Sequence, residues 1–307
     1  MLVGELSRAE LAHRLRGDGV HLCTGAFTTH LVIELPGLVE EFGEMYGGYP
    51  IEAPPQIDDF RVRVAAPSLL RRYVRPQAQV WVDGASLIEP LAREHAYPGL
   101  ESSLNLGVAT LDVAPLLLHA AVLERDGRAL VMPAPSGSGK STLCAALAWR
   151  GWRLLSDEMA VFSFESGRLL PNPRPISLKN EALRTISDFE PRARFSRLYR
   201  GTNKGDVAYM APPPNALAGL HEEAGPGQVI APVYRSGSPT VLRRVEKAAA
   251  FRWLVDNSVN YASLLRTGYD LLTGFIEACD LYSLTYSSLN EAIELIGRLH
   301  EREAATA

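Results

Sequence analysis

The sequence predicts an α/β fold: a mixed sheet built around a phosphate-binding loop, preceded by a smaller strand-rich α+β domain. Three observations carry this. The run ALVMPAPSGSGKSTL, from Ala129 to Leu143, places an apolar strand-like stretch before a glycine-rich loop and a helix-like stretch after it. The tetrad Arg125-Asp126-Gly127-Arg128 joins two apolar runs, and Asp-Gly in that setting is a strong hairpin signal. Prolines at 50, 54, 55, 67, 76, 90 and 98 cut the first hundred residues into short pieces. The expected division is residues 1–100 for the first domain and 101–307 for the second.

In chain order, His21–Leu35 reads as strand pieces, Phe60–Val64 alternates as FRVRV, and QVWVD ends on the Asp83-Gly84 turn signal. Leu116–Glu124 and Ala129–Met132 read as the two strands of the hairpin, so the strand entering the loop is expected to pair antiparallel with its predecessor. Simple phosphate-loop proteins have mainly parallel sheets. Ser141–Arg150 is helical, with Gly151 placed to end it. Trp152–Leu155 is a strand that stops at Ser156-Asp157-Glu158, and MAVFSF-ESGR-LLP reads as another hairpin. Residues 185–230, rich in Pro, Gly, Arg and Lys, read as a long mobile loop region. Helical spacing returns at Val245–Asp256 and Ser263–Cys279. Leu281–Tyr286 is a strand, and Ser288-Leu-Asn-Glu291 is a capping box opening a last helix.

With 307 residues, 47% of them hydrophobic and 21% charged, the chain has the composition of a globular protein with a substantial core. A net charge of −4 argues against non-specific nucleic-acid binding. No run reaches the ~18–20 apolar residues a membrane span needs. MLVGELSRAELAHRL lacks a signal-peptide core, so no membrane association and a cytoplasmic location are expected. Cys23, Cys144 and Cys279 are scattered, and their spacing indicates neither a disulfide framework nor a zinc site. Cys144 falls on the loop-following helix as a small packing residue.

The loop itself is Ala134-Pro-Ser-Gly-Ser-Gly139-Lys140-Ser141, a P-loop with Ala in place of the usual first Gly. Pro135, Ser136, Gly137, Ser138, Gly139, Lys140, Ser141 and Thr142 form the expected cradle. Gly137 and Gly139 let backbone N–H groups turn toward an anion, and the helix N-terminus adds its positive dipole end. Lys140 would reach the β/γ-phosphates and Ser141 would ligate Mg²⁺. A P-loop alone implies a nucleoside triphosphate; the reaction depends on what faces the γ-phosphate.

Two features point there. Asp157 and Glu158 end the strand after the P-loop helix, and carboxylates at strand C-termini sit at the ligand crevice of an α/β sheet. One can hold Mg²⁺ and the other can accept a proton from an attacking hydroxyl or water. The alternative is that Asp157 is a metal-linked acid alone. His119 lies in the apolar run PLLLHAAVLE. A histidine in such a run is more often a core residue, but the hairpin brings it beside the start of the loop.

These residues resemble the HPr kinase/phosphorylase family, bacterial serine kinases with a P-loop in a PEP-carboxykinase-like fold. The corresponding pieces are His119, APSGSGKST, the segment Arg150-Gly-Trp-Arg-Leu154, and Asp157-Glu158. The resemblance is closer to the subgroup of HPr kinase-related kinases called kinase A. It runs through HAAVLERDGRALVMPAPSGSGKSTLCAAL, RGWRLLSDE, RPISLKN, NKGDVAYM and, in the first half, DFRV…RRYVRPQAQVWVDG. The resemblance implies an ATP- and Mg²⁺-dependent kinase acting on a hydroxyl. Asp157 would be general base, and in reverse general acid, with His119 in support. Lys140 and the loop would bind phosphates, and Ser141 with Glu158 would hold Mg²⁺. Two residues depart from the family: Glu158 replaces the second Asp of a pair, and Thr142 stands where HPr kinases carry Glu. No HPr-docking signature is present. The subgroup's association with PqqD-like peptide chaperones implies a peptide or small-protein acceptor, and the hexamers of HPr kinases raise a homo-oligomer.

Lys179, ending a strand-like run, and Lys204, in Thr202-Asn-Lys-Gly205, are further candidates for contact with nucleotide or acceptor. Arg71, Arg72, Arg75, Arg243 and Arg244 read as surface charge, and Trp149 and Trp152 as packing for the P-loop helix. Three functions stay open: a Ser/Thr kinase of a peptide or small protein, a sugar or nucleoside kinase, and a nucleotide-binding regulatory or assembly module without phosphotransfer.

Overall fold

The computed structural model describes residues 1–52, 58–111 and 115–304; Pro54 and Pro55 lie outside them. Helix α1 (Arg8–Arg16) starts at Ser7, whose hydroxyl accepts the Glu10 N–H. Then follow β1 (Val20–Cys23), β2 (Thr28–Ile33), α2 (Pro36–Tyr46), β3 (Ile51–Glu52), β4 (Phe60–Ala65), α3 (Leu69–Tyr73), β5 (Gln77–Val82), β6 (Leu91–Ala92) and α4 (Ala96–Ala109). The strands make a six-stranded sheet in the order β3-β1-β2-β4-β5-β6. Strands β2 and β4 are parallel, with α2 in their crossover, and the other pairs are antiparallel. In β4 the sequence alternation becomes alternation of faces, with Phe60, Val62 and Val64 buried and Arg61 and Arg63 exposed. Leu15, Phe42, Tyr46, Tyr97 and Leu100 from α1, α2 and α4 close one core over this sheet.

Helix α4 runs across the 100/101 junction expected from sequence and packs on β4 and β5. Its sequence is AYPGLESSLNLGVA, and Pro98 is one of the prolines expected to cut this region into short pieces. Pro98 lies in the first turn, where a missing N–H leaves no bond unmade. A Cβ on Gly99 would meet the Leu91 side chain at 2.7 Å, and one on Gly107 would collide with the Phe60 ring. The glycines therefore allow close helix–sheet packing.

The remaining elements are β7 (Leu116–Leu118), β8 (Ala120–Arg125), β9 (Arg128–Pro133), α5 (Lys140–Ala148), β10 (Arg153–Ser156), β11 (Ala160–Phe162), β12 (Leu169–Leu170), β13 (Ile176–Lys179), α6 (Glu181–Phe189), β14 (Tyr199–Thr202), β15 (Gly205–Met210), α7 (Pro214–Ala218), β16 (Gly225–Tyr234), β17 (Val241–Arg244), α8 (Lys247–Asp256), α9 (Tyr261–Glu277), β18 (Asp280–Tyr286) and α10 (Leu289–Ala304). A second six-stranded sheet has the order β10-β8-β9-β16-β18-β17. It is mixed: β8 and β9 pair antiparallel, while β9, β16 and β18 run parallel. The β8–β9 turn carries positive φ at Asp126 and Gly127, as a tight hairpin requires. Alternate residues feed opposite faces. Leu123, Leu130, Met132 and Ile230 pack with Leu143 and Leu147 of α5 and Ile296 of α10. Val122, Val131 and Val229 pack with Leu254 of α8 and Leu272 and Phe275 of α9. Cys144 and Trp152 lie in the first of these cores, with Trp149 partly buried against it.

Two expectations need correction. Leu116–Glu124 is not one strand: it breaks at His119, where β7 leaves for a small sheet with β11 and β12 and β8 joins the large one. Residues 185–230 are not a long loop. They hold the end of α6, the β14–β15 hairpin, α7 and the start of β16. Their glycines and prolines mark tight connections between short elements; Gly205, at φ 87°, starts β15 straight after the hairpin turn. Strands β13, β15 and β14 form a further small sheet. Among the described residues, no helix is long and apolar enough to cross a membrane.

Candidate active site

Strand β9 ends at Pro133 and the chain turns through the loop into α5. Gly137 and Gly139 have φ of 85° and 86°, in the left-handed region that favours glycine. Gly139 is doubly constrained, because a Cβ there would strike the Tyr286 hydroxyl and lie 2.9 Å from the Tyr234 Cβ. Two neighbouring strands hold the loop from below. The Tyr286 hydroxyl donates to the Gly139 carbonyl at 3.0 Å, and the Tyr234 N–H donates to the Ser138 carbonyl at 2.8 Å. These tyrosines are register partners at the C-terminal ends of β16 and β18, with rings edge-on at 5.7 Å. The loop and the first turn of α5 line the cavity, and the N–H groups that a helix N-terminus leaves without intrahelical partners suit anions.

His119 sits at the point where the chain passes between sheets. Its N–H donates to the Asn257 carbonyl at 2.7 Å. The next residue, Ala120, pairs with Pro133 at the entrance to the loop. Its Nε2 lies 3.0 Å from the Lys140 Nζ. Burial pushes the His119 imidazole below its ordinary pKa, and the Lys140 ammonium pushes it further. A neutral ring with an unprotonated Nε2 accepts from the ammonium. Burial also lowers Lys140, against the pull of Asp157 and Glu158.

Strand β10 ends at Ser156, whose hydroxyl accepts the Met159 N–H at 3.0 Å and so turns Asp157 and Glu158 into the cleft. The two carboxyls are driven apart. Burial raises Asp157 to about 6; Lys140 opposes this and Glu158 adds to it. Its Oδ1 is buried without a hydrogen-bond partner. Burial also works against ionisation of Glu158, but Lys204, Arg174 and the amide of Asn105 outweigh it and hold Glu158 below the usual carboxylate range. Asn105 Nδ2 donates to Glu158 Oε2 at 2.6 Å, and Lys204 Nζ lies 3.8 Å from Oε1.

Behind Glu158 runs a buried relay. Arg174 donates to the Asn105 side-chain oxygen, and also to the Glu101 carboxylate at 3.4 Å. Glu101 accepts from the Tyr46 hydroxyl at 2.8 Å. Thus α2 and α4 of the first sheet orient an acidic group at the P-loop.

A cavity of about 800 Å³ gathers the predicted residues: Pro135 through Thr142, His119, Asp157, Glu158, Lys179 and Lys204 all line it. Lys204 is at the turn of the β14–β15 hairpin, not in a loose loop. That hairpin is tied to Lys179's neighbour, since the Asn180 N–H donates to the Asp206 carbonyl at 2.9 Å. Asn180 has φ 50°, the conformation that turns β13 sharply into α6. Tyr234, Tyr286, Ser177, Asn180 and Asn203 also line the cavity and were not foreseen, nor was the Asn105–Arg174–Glu101 relay. Of these, Arg174, Ser177 and Asn180 lie within RPISLKN and Asn203 opens NKGDVAYM, both segments the sequence marked; Tyr234, Tyr286, Glu101 and Asn105 carry no local signal of a site.

The residues suit a nucleotide with a hard divalent cation. Gly139 leaves no room for a side chain where the backbone meets the cavity. The orphaned Asp157 Oδ1, the Ser141 hydroxyl and the Glu158 carboxylate are hard oxygen donors of the kind Mg²⁺ takes.

No family model matches the chain, and no curated protein matches it. Among solved structures it is similar to the Hpr(Ser) kinase/phosphatase from Coxiella burnetii, at 14% identity, over 62% of this chain and 98% of that chain, with a TM-score of 0.26.

Proposed function

We propose that the chain is an ATP- and Mg²⁺-dependent kinase that transfers the γ-phosphoryl group to a hydroxyl, that of Ser or Thr in a peptide or small protein. One observation carries this reading: His119, Lys140, Asp157 and Glu158 converge with the P-loop on one cavity. A module that merely binds nucleotide needs the loop; it does not need a buried carboxylate poised near neutrality beside it.

The loop and the N-terminus of α5 would hold the phosphates, with Lys140 as the mobile cation and His119 keeping it in place when no phosphate is near. Asp157 would take the acceptor's proton. A carboxyl at about 6 is mostly ionised at pH 7 and is a stronger base than an ordinary aspartate. Ser141 and Glu158 would hold Mg²⁺, which when bound neutralises charge on the phosphates, and Asp157 beside them stays free as the base. Lys179 and Lys204 add positive charge to the same cavity. The peptide acceptor and a PqqD-like chaperone as its carrier rest on the sequence resemblance to kinase A.

The test is transfer of γ-labelled phosphate from Mg-ATP into an extract of the native host, by wild type and by Asp157→Asn. Label in a peptide or protein with wild type alone supports the proposal. Label confined to a small soluble compound moves the acceptor to a metabolite. ATP binding without wild-type-dependent label overturns the kinase.

A further inference from the structure

Away from the cavity, the Cys23 thiol, the Glu52 carboxylate and a ring nitrogen of His221 lie within 4.8 Å of one another. They come from three separate stretches: the end of β1, the end of β3, and the segment between α7 and β16. Strands β1 and β3 are paired in the first sheet, which fixes two of the donors. The third is brought in by tight backbone packing. Gly25, at φ 104°, presses between the carbonyls of Pro171 and Leu220, leaving no room for a Cβ, and the Ala26 N–H donates to the Pro171 carbonyl at 2.7 Å. We propose that Cys23, Glu52 and His221 form a Zn²⁺ site that fastens the first sheet to the segment following α7.

The chemistry selects the ion. Thiolate and imidazole are borderline-soft donors that hard cations such as Mg²⁺ decline, and one Cys, one His and one carboxylate match zinc's usual ligands. Three protein ligands leave a fourth tetrahedral position for water. The Cys23 sulfur is buried, and outside the trio it has the Gly25 carbonyl at a weak 4.0 Å and the Thr28 side chain as polar contacts. Bound to a divalent ion, the thiol would be deprotonated outright. The Thr28 hydroxyl donates to Glu52 Oε2 at 3.4 Å and orients the carboxylate. Glu52 and His221 are exposed, which gives the ion an entry path.

The experiment uses the full chain, stripped with chelator and titrated in excess Mg²⁺ with Zn²⁺, and with Co²⁺ as the spectroscopic probe. One equivalent of Co²⁺ is expected to give a thiolate-to-metal charge-transfer band, absent in Cys23→Ser. His221→Ala, at an exposed position, keeps the fold and is expected to weaken Zn²⁺ binding by at least about tenfold, the least that loss of even an outer-sphere partner brings. A Co²⁺ complex without the thiolate band, or unchanged Zn²⁺ affinity in His221→Ala, overturns the site.

Discussion

Lys140 Nζ and His119 Nε2 are 3.0 Å apart, so the P-loop lysine is hydrogen-bonded to a neutral imidazole across the hairpin that feeds the loop. On the proposed function, the histidine would hold the cation when no phosphate is near. It follows that the two substitutions differ. Lys140→Ala should weaken ATP binding by roughly tenfold or more, the equivalent of one charge-assisted hydrogen bond of about 1.5–3 kcal/mol. His119→Ala should leave affinity closer to wild type and lower turnover. Equilibrium binding of labelled ATP beside single-turnover rates separates them; unchanged affinity in Lys140→Ala contradicts the cradle.

Asp157→Asn should reduce transfer by about 10²–10⁴-fold, the usual contribution of a positioned base, while ATP still binds. The same change should stabilise the empty protein at pH 7. Asp157 is raised from 3.8 to about 6, so its ionisation opposes folding by on the order of 2–3 kcal/mol. Chemical denaturation of both proteins tests this, and a less stable Asp157→Asn variant refutes it.

The pH dependence has two signs. As a base, Asp157 must be ionised, so the rate should rise with pH through about 6 and fall away below it. As a buried group with a raised pKa, it binds a proton more readily folded than unfolded. Its contribution to stability is therefore lost as pH rises from about 4 to about 6. Activity and stability attributable to Asp157 thus move oppositely across that window. A rate profile flat through pH 6 would remove the base assignment.

Arg174→Ala should be severe, because it strips the partner from the buried Glu101 and the support from Asn105. Breaking a buried pair from one side costs about 3–5 kcal/mol. Glu158 should also titrate higher, since Arg174, after Lys204, is among the groups holding it down. A drop in thermal midpoint together with weaker Mg²⁺ dependence of ATP binding is the expected pattern.

Gly139→Ala should abolish nucleotide binding: it forces a side chain into φ 86° and into the Tyr286 hydroxyl. Tyr286→Phe, which removes the bond to the Gly139 carbonyl, should lose about 0.5–1.5 kcal/mol of stability and leave the loop in place. Reversible denaturation and ATP titration measure both.

What could be read from sequence was local. The P-loop, the Asp126-Gly127 hairpin and the Asp157-Glu158 pair each declare themselves within a few residues, and the hairpin alone brought His119 to the loop. What could not be read depends on distant partners. Tyr234 and Tyr286 meet through parallel strand register, Arg174 meets Glu101 through α4, and Cys23 meets His221 through the packing of Gly25 on Leu220. Composition also misled where packing overrode it. Pro98 looks like a breaker and residues 185–230 look loose, yet both lie in regular elements ordered by contacts that single-sequence periodicity does not register.

The relay Tyr46–Glu101–Arg174–Asn105–Glu158 has a consequence for how such a chain can be inherited and re-engineered. Tyr46, Glu101 and Asn105 come from α2 and α4 at the front of the sequence, and Arg174 and Glu158 from behind the P-loop. Fusing the P-loop half to a foreign front end would leave Arg174 without the Glu101 carboxylate that pairs with it and Glu158 without the Asn105 amide. The front of the chain is thus not an interchangeable recognition module; any recombination that keeps a working site must carry α2 and α4 with it.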